Sequence, residues 1–534
     1  MGARQVGWSQ GMADYLYTME IRLTPDQQRA VTLVQDVARA GGMNVYLSGG
    51  AVRDIISGFA IRDLDFTVQG NPFKLQKDLE RAGAVIAGSD DDVKALYLAL
   101  PGGVRAEVSM ARTERYEKVG RPPVVAPATI IEDLRRRDFT INAMALSLNP
   151  GSRGLLMDPF NGAADIEAKL LRVLHNYAFV EDASRLIRAT RLAARFHWPL
   201  EERTQARYDS AKENNYIEHI SNKAIGYETA QLAYEDDPLH ILRMLEKEGW
   251  LKVLSPHWTT AKVDTAGLGQ LLKTRQQMNE LGYTPDAAPG VMYFLTARLG
   301  NKEISDMRRL MPRKDLVEAW RDLEDNAKGL AKRLTGKEAA TPSRTWKLLS
   351  GERPEMILFL AVTTRHQAVA QKIKNFFTKW RQIQQKIPLP EMVELRITPE
   401  LAGYPKIAND VFMLLLDGKL RSRTETLKFL KPLAPPPPPP PPPPKRGRAG
   451  KASAEAALQA AKAAAAKTVP AKAGKKGKEA MPVQAAPKAE PAKAPLPAKV
   501  EPPKPAPKAA KSAVKSGKKA PPKKPQPKAK GKRR

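Results

Sequence analysis

The sequence predicts an α/β head with a small mixed sheet, then an all-α region, and finally a disordered C-terminal extension rich in Pro, Lys and Ala. Strand-like runs that alternate with Gly-rich turns and helical segments predict the head. Helical periodicity from residue 130 to about residue 433 predicts the α-helical region. Ten consecutive prolines at positions 435–444 mark the boundary to the extension, because such a run forms a semi-rigid polyproline II spacer.

Local signals predict the elements of the head in order. Thr24 and Pro25 begin a helix as its N-cap and first helical residue, and Gly41 and Gly42 end it. Beyond it we predict a strand at 44–47, a helix at 51–57, a strand at 64–68, a helix at 72–82, and strands at 94–100 and 104–109. The last two strands flank Pro101-Gly-Gly, which predicts a hairpin.

The composition excludes several kinds of chemistry. The chain has 534 residues and no cysteine, so disulfides, zinc–thiolate sites and thiol catalysis are excluded and a reducing compartment is favoured. The N-terminus lacks the apolar stretch of a signal peptide. No apolar run approaches the roughly 18 residues that a membrane span requires. We therefore expect a cytoplasmic protein.

The net charge of +31 is concentrated at the C-terminus. Residues 435–534 contain 26 Lys and Arg against 4 Glu, whereas residues 1–434 contain 62 basic and 53 acidic side chains. A strongly basic tail predicts non-specific binding to a polyanion such as RNA. A solvated segment that only keeps the protein in solution would explain the same charge, and the composition does not separate the two.

One short part of the head is the most informative. An apolar strand leads into Gly49 and Gly50, a helix follows, and a second strand then carries Asp63 and Asp65. Since alternate residues of a strand share a face, we expect the two carboxylates to aim at one point, as a Mg²⁺ site requires. The Gly-Gly turn lets backbone N–H groups approach a phosphate closely. A solvated strand end is the alternative, and Glu107 on a later strand is a candidate third carboxylate.

Two further segments carry clustered charges. Residues 133–145 place three arginines between two aspartates ahead of a predicted apolar helix, which suits either phosphate recognition or an ordinary charged helix start. Glu181, Asp182 and Arg185 are predicted on one helix, where they form a surface salt bridge or read a base edge. Four arginines recur along this helix, predicted at 182–196, with spacings of three and four residues: Arg185, Arg188, Arg191 and Arg195.

Taken in order, these motifs resemble those of the class II nucleotidyltransferases, which comprise the bacterial-type CCA-adding tRNA nucleotidyltransferases and the bacterial poly(A) polymerases. The motifs are Gly-Gly-x-Val-Arg-Asp, Asp-x-Asp, Arg-Arg-Asp-Phe-Thr-Ile-Asn-Ala-Met-Ala and Glu-Asp-x-x-Arg. The resemblance is strong over residues 44–200 and loose over 200–260. It implies the following domains: a nucleotidyltransferase head at 22–150, a helical neck at 151–265 that templates nucleotides and binds RNA, and a tRNA-binding helical body and tail at 266–434. It does not account for an N-terminal extension at 1–21, a polyproline linker at 435–444 and a basic tail at 445–534.

The resemblance also implies a role for each motif. Asp63 and Asp65 match the aspartates that hold two Mg²⁺ ions, and Glu107 matches the third catalytic carboxylate. The residues implied in nucleotide binding are Gly49, Gly50, Arg53, Asp54, Arg136, Arg137, Asp138, Asn142, Glu181, Asp182, Arg185, Arg188 and Arg191. Among these, Asp182 and Arg185 match the protein template for the bases of CTP and ATP, with Glu181 holding the arginine. The implied reaction transfers nucleotides to the 3′ end of a tRNA that lacks all or part of its CCA, with release of pyrophosphate.

Two local features favour the CCA-adding branch of the family. Residues 93–107 lack the Gly-Arg-Arg-Phe-like stretch of the poly(A) polymerases, and residues 111–117 resemble the flexible loop of the CCA-adding enzymes. We therefore predict complete CCA addition. Poly(A) addition, CC-only or A-only addition, and a non-catalytic RNA-binding role are the alternatives. The chain departs from the family pattern Ser-x-Glu-Arg-Ile at residues 221–225, where neck and body meet.

Overall fold

The computed structural model describes residues 8–118 and 123–436, with side chains from residue 15 onward. Within these ranges no helix is long and apolar enough to cross a membrane. The predictions for the basic tail and for most of the polyproline linker lie outside the described residues.

The described residues contain nine strands: β1 (Val45–Ser48), β2 (Leu64–Val68), β3 (Val85–Asp90), β4 (Ala95–Leu100), β5 (Val104–Met110), β6 (Arg112–Arg115), β7 (Val124–Pro127), β8 (Ala145–Ser147) and β9 (Leu156–Met157). Seven of them form one mixed sheet in the order β3-β4-β5-β2-β1-β8-β9, and β6 and β7 form a separate hairpin. In the large sheet β2 and β5 are parallel, while the other neighbouring strands are antiparallel. The predicted hairpin between β4 and β5 is confirmed.

The first five helices are α1 (Trp8–Arg22), α2 (Pro25–Ala40), α3 (Gly50–Ser57), α4 (Gln76–Arg81) and α5 (Ile130–Arg135). Thr24 caps α2 by accepting a hydrogen bond from the backbone N–H of Gln27, as its sequence predicts. The helix predicted at 72–82 is divided, since Pro72–Leu75 form a 3-10 turn before α4.

The rest of the described chain is almost entirely helical. The helices up to residue 280 are α6 (Gly162–Ala168), α7 (Ala178–Glu181), α8 (Ser184–Phe196), α9 (Glu202–Glu213), α10 (Asn222–Leu232), α11 (Pro238–Glu248), α12 (Leu251–Leu254) and α13 (Thr265–Glu280). Those beyond are α14 (Ala288–Leu295), α15 (Asn301–Leu310), α16 (Lys314–Thr335), α17 (Pro342–Ser350), α18 (Pro354–Thr363), α19 (Gln367–Phe377), α20 (Lys379–Gln384), α21 (Leu389–Glu394), α22 (Tyr404–Leu416) and α23 (Arg423–Leu430). The structure thus confirms the predicted fold class, an α/β head followed by an all-α region.

Two predicted helices are wrong in detail. The apolar segment after the three arginines forms only a 3-10 turn, Thr140–Asn142, and then enters the sheet as β8 beside β1. Residues 143–146 are all buried, so their apolar run has no periodicity that would distinguish a strand from a helix. The helix predicted at 182–196 begins at Ser184, because the backbone of Asp182 is extended and its side chain accepts hydrogen bonds from Ser184.

The strand β2 presents two different faces. Leu64, Phe66 and Val68 are fully buried on one face, and Asp65 lies on the other. Asp63 lies immediately before the strand rather than within it. Because one face is committed to the core, the register of β2 is strongly specified, and with it the position of the acidic side chains.

Helix α10 packs against α15 at Gly226. A Cβ atom on this residue would lie 1.8 Å from the carbonyl oxygen of Leu310, the last residue of α15. Only glycine lets the two helices approach this closely, and α10 is one wall of the cleft described below.

We predict that Gly226→Ala lowers the free energy of unfolding by about 1–3 kcal/mol, the usual cost of overpacking. The measurement is thermal unfolding of the full-length protein followed by circular dichroism. Gly269→Ala within α13 is the matched control, because no atom lies within 4 Å of its Cβ position. That control should be neutral or should stabilise the protein by about 0.5–1 kcal/mol. Equal melting temperatures for the two variants would contradict the close contact.

Candidate active site

A cleft of about 690 Å³ lies between the sheet of the head and the helices α8 and α10. All sixteen residues that the sequence predicts for the site line it: Gly49, Gly50, Arg53, Asp54, Asp63, Asp65, Glu107, Arg136, Arg137, Asp138, Asn142, Glu181, Asp182, Arg185, Arg188 and Arg191. Residues separated by up to 142 positions therefore meet in one place. Their individual roles stay predictions.

Three carboxylates stand together on the sheet. Asp65 and Glu107 are direct neighbours across the parallel pair of β2 and β5, and Asp63 precedes β2 by one residue. Burial raises the pKa of Asp65 to about 7, the negative charges of Glu107 and Asp63 add to this rise, and nearby arginines including Arg137 offset only part of it. Burial likewise raises the pKa of Glu107. The protein thus holds acids in a place that disfavours their negative charge.

The carboxylate of Asp63 makes few hydrogen bonds. Asp63 Oδ1 is buried and accepts no hydrogen bond from any described residue, although Arg105 Nη2 lies 2.7 Å away as an ion-pair partner. No group of three or more Asp, Glu, His or Cys side chains in the described ranges is arranged to hold a metal ion. A pair of carboxylates is nevertheless what Mg²⁺ commonly takes from a protein when substrate phosphates supply the other ligands.

The turn at Gly49 and Gly50 brings the N-terminus of α3 close to the acid pair, Asp63 and Asp65. Gly49 has φ +63° and ψ −130°, which a residue with a side chain rarely adopts. A Cβ atom on Gly49 would lie 2.8 Å from Arg137 Nη1, and one on Gly50 would lie 3.3 Å from Asp65 Oδ2. The start of α3 lines the cleft beside Arg53, and the first N–H groups of a helix have no partner within the helix, an arrangement that suits a phosphate.

A buried aspartate organises the arginines that follow α5. Asp133 accepts hydrogen bonds from both Arg136 and Arg137. Burial by itself raises the pKa of Asp133, but the two arginines more than offset this effect and hold it at about 2. Arg136 also contacts Glu114 of β6 at 3.0 Å, and Glu114 accepts a hydrogen bond from the Tyr116 hydroxyl. The loop that resembles the flexible loop of CCA-adding enzymes is thereby connected to Arg136.

The far end of the cleft carries Asp182 and Arg185. Arg185 is buried, and its terminal nitrogens donate to the carbonyl oxygens of Ala178 and Arg136 at 3.1 and 3.0 Å. Its Nε has no hydrogen-bond partner among the described residues, and Asp182 Oδ2 lies 4.0 Å from it. Glu181 Oε2 lies 3.7 Å from Arg185 Nη1. The Asp182 carboxylate, an acceptor, and the Arg185 guanidinium, a forked donor, thus lie side by side. Hydrogen bonds to neighbouring residues hold both side chains in place.

Ion pairs, together with two hydrogen bonds of Asn142, form a closed loop along the wall of the cleft, which we call the charged ring. Its members, in order, are Arg53, Asp54, Arg195, Glu235, Arg191, Glu228, Arg188, Asp138 and Asn142, and Asn142 returns to Arg53. The shortest contacts are 2.6 Å, from Glu228 to Arg188 and from Asn142 to Arg53. The ring joins the head to α8, to α10 and to the segment that follows α10. The side chains on opposite walls of the cleft therefore fix one another in position.

The ring engages two arginines that the sequence predicts as nucleotide contacts. Arg188 is paired with Asp138 and Glu228, and Arg191 is paired with Glu228 and Glu235. Sequence reasoning missed both glutamates, which are fully buried. Their spacing of seven residues, opposite a stripe of arginines, is the signal that would have revealed them.

The departure from the family pattern at residues 221–225 also has a structural role. Lys223, on the first turn of α10, pairs with Asp90 at 2.6 Å and with Asp92 at 2.9 Å. Asp90 is the last residue of β3, and Asp92 lies in the turn between β3 and β4. The two ion pairs of Lys223 therefore connect α10 to the head. Lys223 lies at the rim of the cleft.

Part of this chain matches a known family of head domains. Residues 45–172 match the family model of the poly(A) polymerase head domain. This range contains the acid pair, the glycine turn, Glu107 and the arginines after α5.

Among relatives, an A-adding tRNA nucleotidyltransferase of Geobacter sulfurreducens is 26% identical over 408 residues, which is 74% of this chain and 46% of that protein. A CC-adding tRNA nucleotidyltransferase of Deinococcus radiodurans is 38% identical over 182 residues, which is 32% of this chain and 49% of that protein. The chain thus spans less than half the length of either relative. A solved CCA-adding enzyme of Thermotoga maritima in complex with tRNA is 26% identical, with a TM-score of 0.37 over 78% of this chain and 97% of that one. Residues 45–172 thus match the poly(A) polymerase head domain, and the chain is similar to A-adding and CC-adding tRNA nucleotidyltransferases.

Proposed function

We propose that the protein is a template-independent nucleotidyltransferase that adds CCA to tRNA 3′ ends from CTP and ATP, with release of pyrophosphate. One observation carries the proposal. The acid pair Asp63 and Asp65 and the base-edge pair Asp182 and Arg185 line the same cleft, so a single nucleotide can contact both. The poly(A) polymerase head domain in residues 45–172 supports the reaction type.

The acid pair fits a divalent cation. Asp63 Oδ1 is buried and pairs with Arg105 at 2.7 Å. The pKa of Asp65 is raised chiefly by burial and further by the charges of Glu107 and Asp63, a repulsion that a bound cation would relieve. Asp63 and Asp65 would hold Mg²⁺, with the substrate phosphates completing the coordination. When bound, Mg²⁺ ions would activate the RNA 3′-hydroxyl and neutralise the departing pyrophosphate.

The protein's own groups bind and align the substrates. The N-terminus of α3 and the side chain of Arg53 face the triphosphate, and Asn142 and Asp54 hold that side chain in place. Asp182 and Arg185 select the base, because an acceptor beside a forked donor discriminates among base edges by hydrogen bonding. In-line transfer depends chiefly on such positioning and on electrostatics.

Addition of AMP alone is the second candidate, favoured by the similarity to an A-adding enzyme over 74% of the chain. The experiment that separates the candidates incubates the protein and Mg²⁺ with tRNA lacking CCA or tRNA ending in CC, and then sequences the product ends. Complete CCA on the first tRNA supports the proposal, whereas addition only to the second supports A-only addition. Long adenylate tails on an oligo(A) primer would identify a poly(A) polymerase, and no addition to any RNA would overturn the proposal.

We predict that Asp63→Ala and Asp65→Ala each lower nucleotide transfer by at least about 10²-fold, the scale of losing one preorganised electrostatic group. Binding of tRNA should remain close to that of the wild type, because the two carboxylates do not contact the body of the RNA in this proposal. Labelled-nucleotide incorporation and fluorescence anisotropy measure the two quantities. The matched control is Asp91→Ala, an exposed aspartate of the β3–β4 turn, which should keep full activity. A parallel loss of binding and transfer would contradict the role of the pair.

We further predict that Asp182→Ala and Arg185→Ala remove about 1–3 kcal/mol of discrimination for CTP and ATP over GTP and UTP. Competition between the four nucleotides in single-turnover reactions measures the loss. Arg203→Ala serves as the control, since this arginine is exposed on α9. Unchanged selectivity in both cleft variants would refute the assignment of the base-edge pair.

A further inference from the structure

Two residues just beyond the end of α10, Tyr234 and Glu235, contact the arginines next to Asp63, Arg62 in the chain and Arg105 on β5. We call these two residues the neck clamp. Neither belongs to the motifs that predict the site, yet Tyr234 lines the cleft and Glu235 is fully buried beside it. Both contact the same part of the head, the segment just before β2 and its neighbour β5.

Glu235 holds the residue that precedes Asp63. Its Oε2 lies 2.9 Å from Arg62 Nη1, and the backbone carbonyl of Tyr234 accepts a hydrogen bond from the same nitrogen. Through its other contacts Glu235 belongs to the charged ring, since its Oε1 lies 2.8 Å from Arg191 Nη1. Arg62 is therefore fixed to α8 as well as to the segment that follows α10.

Tyr234 holds the residue that pairs with Asp63. The guanidinium of Arg105 lies 3.4 Å from the centroid of the Tyr234 ring, which is close stacking. Arg105 Nη2 lies 2.7 Å from Asp63 Oδ1. The parallel register of Leu64 with Ala106 makes Arg105 the direct neighbour of Asp63 across the two strands. Stacking on the ring thus limits where the guanidinium, and with it the carboxylate, can lie.

Asp63 depends on this support because little else orients it. Oδ1 accepts no hydrogen bond from the described residues, and the carboxylate lies before β2 rather than within its ladder. Asp65, by contrast, lies within the strand and against the glycine turn. The two members of the acid pair are therefore held by different means, Asp65 by the sheet and Asp63 by Arg105.

We propose that Tyr234 and Glu235 are positioning residues that hold Asp63 in the orientation needed to share a metal ion with Asp65. They act through Arg105 and Arg62 and do not touch the reacting atoms. This inference rests on the proposed function. It adds that the neck, and not only the head, sets the geometry of the catalytic acids.

The test uses the full-length protein and four variants. Tyr234→Leu removes the stacking surface, Tyr234→Phe keeps the ring, Glu235→Gln keeps the shape without the charge, and Asp236→Asn is the matched control at a neighbouring exposed acid. For each we measure kcat, the KM values for tRNA and ATP, and the Kd of Mn²⁺ by isothermal titration calorimetry. Circular dichroism melting identifies any variant that fails to fold.

We expect Tyr234→Leu to lower kcat by up to about 10²-fold, the cost of misplacing a catalytic group by about 1 Å. The KM for tRNA should stay within about twofold, and the Kd of Mn²⁺ should rise with the loss of kcat, because both depend on Asp63. Tyr234→Phe should keep most of the wild-type kcat and most of the affinity for Mn²⁺. Glu235→Gln should resemble Tyr234→Leu. Asp236→Asn should match the wild type.

Normal kcat and normal Mn²⁺ affinity in a folded Tyr234→Leu variant would overturn the inference, as would a Tyr234→Phe variant as defective as Tyr234→Leu. If Tyr234→Leu does not fold, Arg105→Lys decides, since lysine keeps the charge without the flat stacking surface; an unchanged kcat and Mn²⁺ affinity there would also overturn it. A wild-type protein that transfers no nucleotide would refute the proposed function, while the Mn²⁺ affinities of the same variants would still test the clamp.

Discussion

The pairing of buried charge is the constraint on which this structure depends. Glu228 and Glu235 are fully buried. Glu228 pairs with Arg188 and Arg191 of α8, and Glu235 pairs with Arg191 of α8 and with Arg62 of the head. Removing one partner of such a pair typically costs about 3–5 kcal/mol, because the other charge is left without compensation. The charged ring can therefore close only when head, α8 and α10 are assembled together, and the cleft is the space that this assembly leaves open.

The two walls of the cleft are complementary in charge. The sheet contributes three crowded carboxylates, whereas the neck contributes a row of guanidinium groups held in place by acids of its own. Burial is the main cause of the raised pKa of Asp65, and the negative charges of Glu107 and Asp63 add to it. A cation between these carboxylates would offset their repulsion. A nucleoside triphosphate with its metal ions suits both walls, since its phosphates face the arginines and its cations face the acids.

Much of the head and of the candidate site could be predicted from local sequence. The capped start of α2, the strand β2 and the hairpin of β4 and β5 follow from residues close in the chain. Prediction failed where the outcome depends on distant contacts. The strand β8 is specified by pairing with β1. The break before α8 is local, since Asp182 accepts hydrogen bonds from Ser184, but helical periodicity alone does not reveal it. The partners of Arg188 and Arg191 lie about 40 residues further on, beyond any local pattern.

By itself the sequence determined which chemistry is available: an acid pair, a glycine turn, clustered arginines and no cysteine. These properties are carried by residue types and short spacings, which need no partner. Only the tertiary structure decided how the groups are held. Three contacts depend on the packing of α8 and α10 against the sheet. They are the approach of Arg185 to Asp182, the ion pair of Glu235 with Arg62, and the stacking of Arg105 on Tyr234. The physical reason is that the strength and direction of a buried ion pair depend on its surroundings, which the whole fold supplies.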